Sequence, residues 1–498
     1  MALLHLGRTG VAPWQVLAVA GLASEVIYLV ALANPFPLAR LYNVPLMDLG
    51  KLTNYESGAF ALFLLAAAAL FAAYGLAARA CSGSGRPPGT SLVLLALGFP
   101  AVFHFILIFA YPVGAADLFD YVANGRLMAL YDRNPLVVPV TEIAQDPSVA
   151  LAAWPYRTLP YGPLWALLNG GLTRLTGEIL PNLFGLKLLA GAAWLATMLL
   201  VYGLLRQWEP ERALAGAVVV GWNPLAVYEV AVNGHNDALL GPALVVAVAM
   251  AAGARPALAL VPLVVGALLK FAPLMLVPLV AIEVWRRRAW RGLVPAVVLS
   301  AVVVVAAYAP FWEGEATFEI LRRQAGLLTT SPAMVLRLAL EGAFGLEVAS
   351  QVARWATMAL FLGLAGALGR KAVRGECAFT LAASLLLAAY LGLVAWWFQP
   401  WYLLWLLPVA ALTPVALVRR LVVLWSCTAG LTYAVFVYVW VMNADRLTYS
   451  DVQWIATTVL YLPLILYAAW SWRRMRRRWG LGRPRGAAPT AYNESAEA

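Results

Sequence analysis

Twelve apolar stretches run through this chain, at about 12–33, 56–79, 92–112, 183–205, 213–232, 237–253, 289–310, 350–369, 377–396, 400–418, 421–442 and 453–472. Each approaches the roughly 20 residues with which an α-helix crosses a hydrocarbon core. Backbone polar groups must be satisfied within such a segment in lipid, so the runs are expected as helices. A soluble globule is excluded: 63% of the residues are hydrophobic and 12% are charged, where soluble domains sit near roughly half and a quarter. The expected fold is an all-α polytopic membrane protein with about twelve full transmembrane helices.

The net charge of +11 invites a nucleic-acid partner, but its distribution argues against one. The basic residues gather where apolar runs end: "RRRAWR" at 286–291, "RKAVR" at 370–374, Arg419–Arg420 and "RRMRRR" at 473–478. That is the positive-inside pattern of cytoplasmic loops. The three cysteines, Cys81, Cys377 and Cys427, have neither metal nor redox spacing. Ala31-Leu32-Ala33 resembles a signal-peptidase site, but the run before it is long for a signal peptide and contains Glu25. An uncleaved first helix is expected.

The segment 257–285 is different. Arg255 precedes it and Arg286–Arg288 follow it, while Lys270 and Pro273 interrupt its middle. A charge at the bilayer centre costs about 2.5–3.5 kcal/mol on insertion scales, and proline removes a helix hydrogen bond. The reading is a re-entrant hairpin of two half-helices lining a protein cavity. Both termini are then cytoplasmic, and the external segments are 34–55, 113–182, 233–236, 311–349, 397–399 and 443–452. The longest, 113–182, follows the third helix, and its part 163–178 is expected as a surface-lying helix. The chain is read as one domain over 1–480 with a disordered cytoplasmic tail at 481–498, in the inner or plasma membrane.

Polar residues concentrate in a few places. "AADLFDYVANGRLMALYDRNP" (115–135) opens the long loop with Asp117 and Asp120, which share a face at i and i+3 on a helix. Partly desolvated paired carboxylates can serve as a general base on a hydroxyl; equally, Asp is favoured at helix starts as a cap. In "YEVAVNGHNDALL", Glu229, Asn233, His235, Asn236 and Asp237 form either a sugar-binding cluster or a polar turn capped by Asp237. Lys270 calls for an anionic partner, and a phosphate suits its compact charge. "WWFQPWYLLW" (396–405) offers Gln399, Trp401 and Tyr402 as a sugar-stacking surface or an interfacial belt. Arg322 and Arg323 lie in an external loop against the positive-inside pattern and are candidates for an anionic head group. Metal-ligand spacing and a Gly-rich phosphate loop are both missing, so neither metal nor cofactor is expected.

Taken in order, "DLFDYVANGR", "NPL", "YGPLW", "NPLAVYE…NGHNDALL" and "LLKFAPLMLVP" resemble the glycosyltransferase C (GT-C) superfamily. Over about 92–405 they are most similar to the polyprenol-phosphate-mannose-dependent α-1,6-mannosyltransferases of bacterial envelope biosynthesis. The resemblance implies a hexose, mannose, passing from a polyprenyl-monophosphate donor to a glycan or glycolipid acceptor on the external face. It places the family's loop aspartate at Asp117, with Asp120 a second catalytic candidate. Lys270, Arg322 and Arg323 would hold the donor phosphate; Arg126, Tyr161, Glu229, Asn233, His235, Asn236, Asp237, Gln399, Trp401 and Tyr402 would line the substrate site. Two alternatives stay open: a transporter or flippase of a lipid-linked or anionic solute, which also suits a broken helix and an intramembrane lysine, and an O-antigen-ligase-like transferase with a lipid diphosphate donor.

Overall fold

The computed structural model describes residues 11–82, 87–319 and 327–478, with side chains as far as Arg474 in the last helix. Among them the chain is helical, with two isolated bridges and no sheet. Arg322, Arg323 and the 481–498 tail lie outside the described residues.

Among the described residues, eight helices are long and apolar enough to cross a membrane: Pro13–Ala33, Ser57–Ala80, Thr90–Leu107, Ile179–Trp208, Trp290–Phe311, Leu346–Val373, Ala416–Met442 and Tyr449–Arg474. A ninth is obtained if Pro210–Gly221 and Pro224–Val232, bent by 46°, are taken as one span. The bend has a local cause. Asn223 accepts the Ala226 N–H at 3.1 Å and Pro224 opens the new helix, so the pair stops one helix and starts another.

By length and composition these fall short of the twelve full spans expected. The runs at 237–253, 377–396 and 400–418 yield the shorter helices Asn236–Ala252, Phe379–Leu393 and Pro400–Leu412. Proline bounds the last of them, at Pro400 and again after Thr413, where Pro414 follows. The Trp290–Phe311 helix shows the lipid-facing pattern most plainly, with Val294, Val298, Val302 and Val305 all exposed. Such a stripe has no place in water and suits hydrocarbon.

The 257–285 segment is broken where expected. Helical residues Pro256–Ala267 stop before Lys270, and a 3₁₀ turn at Ala272–Leu276 leads into Val277–Arg286. Its two ends lie together, because the Arg287 guanidinium donates to the carbonyls of Gly253 at 2.6 Å and Ala252 at 3.2 Å. The 163–178 stretch contains the helix Pro163–Thr176, which packs Trp165, Asn169 and Thr173 inward. Asn169 Nδ2 donates to the Tyr121 carbonyl at 2.6 Å and ties this helix to Asp117–Tyr131.

Candidate active site

The long loop and the broken segment meet at a glycine. The N–H groups of Gly162 and Leu164 donate to the carbonyls of Leu269 and Leu268, each at 3.0 Å. A Cβ on Gly162 would stand 2.2 Å from the Leu268 carbonyl oxygen, so no other residue permits this approach. The contact sets Tyr161 beside Lys270, whose Nζ lies 5.3 Å from the Tyr161 ring centre.

Lys270 is not a free cation waiting for phosphate. Its Nζ donates to Asp237 Oδ1 at 2.7 Å, and the same oxygen accepts the Trp405 indole N–H at 2.7 Å. The rings of Tyr402 and Trp405 complete its surroundings at 4.8 and 5.2 Å. Asp237 is fully buried. The capping reading of Asp237 is therefore replaced by an ion pair with Lys270.

Asp117 and Asp120 occupy the first turn of the Asp117–Tyr131 helix. The Asp117 side chain keeps 20% exposure toward the cleft, and its Oδ2 accepts the Tyr161 hydroxyl at 3.4 Å. Burial raises its pKa, while His235 and Lys270 pull the other way. Asp120 is engaged differently: Oδ1 accepts the Trp154 N–H at 2.8 Å, and Oδ2 is sealed without a partner. Burial first, and then the charge of Asp117, push its pKa up to about 7.

The Asn233–Asp237 turn is interior rather than an exposed external loop. Gly234 has φ +71°, the left-handed region open to glycine, and this reversal folds His235 back over Glu229. Glu229 is fully buried and accepts from Asn233 Nδ2 and the Tyr433 hydroxyl, each at 2.8 Å. Asn236 accepts the Tyr121 hydroxyl at 3.3 Å. His235 stacks on Trp401 with centroids 4.0 Å apart.

These groups surround a cleft of about 630 Å³, lined by Asp117, Asp120, Tyr161, Lys270, Gln399, Trp401 and Tyr402 together with Trp154, Arg157 and Trp405. Three polar atoms around it, on Asp120, His235 and Asp237, are buried without hydrogen-bond partners. Among the described residues no three His, Cys, Asp or Glu side chains are grouped to hold a metal ion.

Arg126 is not brought to the cleft. Its Nε and Nη2 bind Asp146 at 2.9–3.1 Å and its Nη1 the Gly177 carbonyl, so it clamps the loop rather than facing a substrate. Nor does Asp120 orient it. Trp405, Trp154 and Arg157 lie within stretches whose aromatic character was visible in sequence, but without an assigned role. Tyr433 carried no local signal, since it reaches Glu229 from 204 residues away.

Carboxylates, a lysine and aromatic rings lining one cleft, among helices long and apolar enough to cross a membrane, suit sugar transfer at a lipid surface. The comparison with protein families agrees. A model described as the alpha-(1->6)-mannopyranosyltransferase N-terminal domain matches residues 18–286, more than half of the 498 residues. The chain belongs to that family and is a GT-C-like membrane mannosyltransferase. Neither the curated proteins nor the solved structures yield a significant match.

Proposed function

We propose that the protein transfers mannose from a polyprenyl-monophosphate donor to an envelope glycan or glycolipid on the external side of the plasma membrane. The observation that carries this is the shared cleft: Asp117 opens on it with a carboxylate, and Lys270 lines it with a cation at the break of an apolar segment. Lys270 has three N–H groups, of which one is engaged by Asp237. The others are available to a phosphate oxygen, and the Lys270 side chain keeps 17% exposure.

Asp117 takes the proton of the acceptor hydroxyl as its oxygen attacks the anomeric carbon. The bond from that carbon to the phosphate oxygen breaks with its electron pair, polyprenyl phosphate leaves, and configuration inverts. Asp117 suits this work better than Asp120, whose two oxygens are bound to the Trp154 N–H and sealed. Gln399, Trp401 and Tyr402 offer the sugar a stacking and hydrogen-bonding wall. The orphaned oxygen of Asp237 and the Asn236 amide stand behind it.

The external placement rests on a re-entrant hairpin over 257–285 and cytoplasmic termini, and the adjacency of Arg287 to Gly253 supports that reading. Cysteines placed at positions 255 and 288 should both react only from the cytoplasmic side; labelling of either from outside would overturn it. The activity is tested with purified protein and a panel of polyprenyl-phosphate sugars. Mannose transfer with inversion is expected. Passage of a solute without bond formation would make the protein a transporter instead.

A further inference from the structure

Behind the wall of the cleft, an imidazole lies between the carboxylates of Glu229 and Asp117. His235 is fully buried. Its Nδ1 faces two oxygens of Glu229, carboxylate Oε2 at 3.0 Å and the main-chain carbonyl at 3.2 Å. A carbonyl only accepts, so Nδ1 carries a hydrogen. On the far side of the ring, Nε2 has no hydrogen-bond partner and lies 3.9 Å from Asp117 Oδ2.

In a neutral ring with that tautomer, Nε2 would turn a lone pair toward a carboxylate oxygen 3.9 Å away. A proton on Nε2 converts the same approach into attraction. Glu229 is arranged to favour it: its Oε2 lies 3.0 Å from Nδ1, and donors from Asn233 and Tyr433 fix the carboxyl group in place. The ring is also immobilised, stacked on Trp401 at 18° between planes.

We propose that Glu229 holds His235 as an imidazolium, and that this fixed cation keeps the Asp117 carboxylate in its basic, ionised form. The proposal rests on Asp117 as the base. It gives Glu229 and His235 a role other than binding sugar hydroxyls, and His235 acts through Asp117 as a positioning residue. The remaining groups facing this pair are the Tyr161 hydroxyl, which donates to Asp117, the Asp237–Lys270 ion pair, and Asp120 one helical turn along. Asp237 opposes ionisation of Asp117, whereas His235 and Lys270 favour it.

The test is the pH dependence of transfer in purified wild type, His235→Asn, Glu229→Gln and Tyr433→Phe. Asp117 works as an anion, so the rate falls as pH drops through its pKa. Loss of the neighbouring cation raises that pKa, and the acid limb should move to higher pH by about one unit in His235→Asn. Glu229→Gln should move it the same way by less, and Tyr433→Phe least. A merely structural role would lower the rate at every pH without moving the limb.

A second measurement needs no turnover. The chain has three histidines, so the ¹⁵N-histidine spectrum is simple, and His235 is assigned by the signal missing in His235→Asn. Imidazolium shifts at pH 7 in wild type, and neutral shifts in Glu229→Gln, are expected. A neutral His235 in wild type, or an unmoved acid limb, overturns the inference. If His235→Asn does not accumulate, Glu229→Gln and the wild-type spectrum decide. An active Asp117→Asn would instead remove the base assignment itself; an inactive one beside an unmoved limb removes only the role of His235.

Discussion

Two lysines lie within the helical bundle, and only one of them opens on the cleft. Lys187, in the Ile179–Trp208 helix, is 2% exposed and donates to the carbonyls of Leu107 and Ala110, where the Thr90–Leu107 helix ends. It closes off helix-end acceptors that lipid cannot satisfy. Lys270 sits in a break rather than a helix, is paired with Asp237, and keeps an exposed side ringed by Tyr161, Tyr402 and Trp405. A lysine at membrane depth therefore does not by itself mark chemistry. One consumed by main-chain carbonyls is scaffold, and one with a carboxylate partner and an opening belongs to the candidate site.

The largest effect expected on the cleft side of this division is at Asp117. Asn keeps the shape of the side chain and lacks its basicity, so Asp117→Asn should lower transfer by roughly 10²–10⁴ with normal amounts of membrane protein. Full activity would take the carboxylate wall out of the chemistry. Next come the lysines themselves. Lys270→Met should raise the donor KM tenfold to hundredfold, from a charge-assisted contact worth about 1.5–3 kcal/mol, and should also lower the thermal midpoint because it strands the buried Asp237 carboxylate. Lys187→Met should lower the thermal midpoint through lost carbonyl bonds and leave the donor KM unchanged. If the two profiles coincide, the distinction between scaffold and site lysine fails.

A smaller effect tests the joint between the regions. Gly162→Ala forces a Cβ against the Leu268 carbonyl, and overpacking of this kind costs about 1–3 kcal/mol. Both stability and donor use should decline together; an unaltered protein would mean that the two segments part easily. The smallest is the absence of a shift. Asp120, whose pKa is pushed up to about 7 in part by the charge of Asp117, is still protonated as Asp117 ionises. Asp120→Asn should therefore leave the acid limb of the pH–rate profile in place, unlike the change expected at His235. A limb that moves downward would mean that Asp120 carries charge in that range.

Much of this architecture is legible in the sequence because hydrophobic length is a local property. The eight long helices coincide with apolar runs, and the interruption at Lys270–Pro273 announces the broken segment. The candidate residues Asp117, Tyr161, Lys270, Gln399, Trp401 and Tyr402 do line one cleft. Their partners were not legible. The pairing of Lys270 with Asp237, the reach of Tyr433 to Glu229 and the capture of Arg126 by Asp146 depend on tertiary packing. An arginine beside two aspartates reads as a substrate clamp until a third aspartate, twenty residues on, binds it. Short helices bounded by proline likewise look like full spans when only their hydropathy is counted.

The seam at Gly162 has a thermodynamic consequence. Main-chain bonds join the loop that carries Tyr161 to the two residues immediately before Lys270, so the loop and the lysine move as one piece. On the proposed assignment, an acceptor that draws the loop inward would carry the lysine with it, and a phosphate that pulls the lysine would carry the loop. Affinities coupled in this way are coupled equally in both directions: whatever factor a donor contributed to acceptor binding, the acceptor would return to the donor.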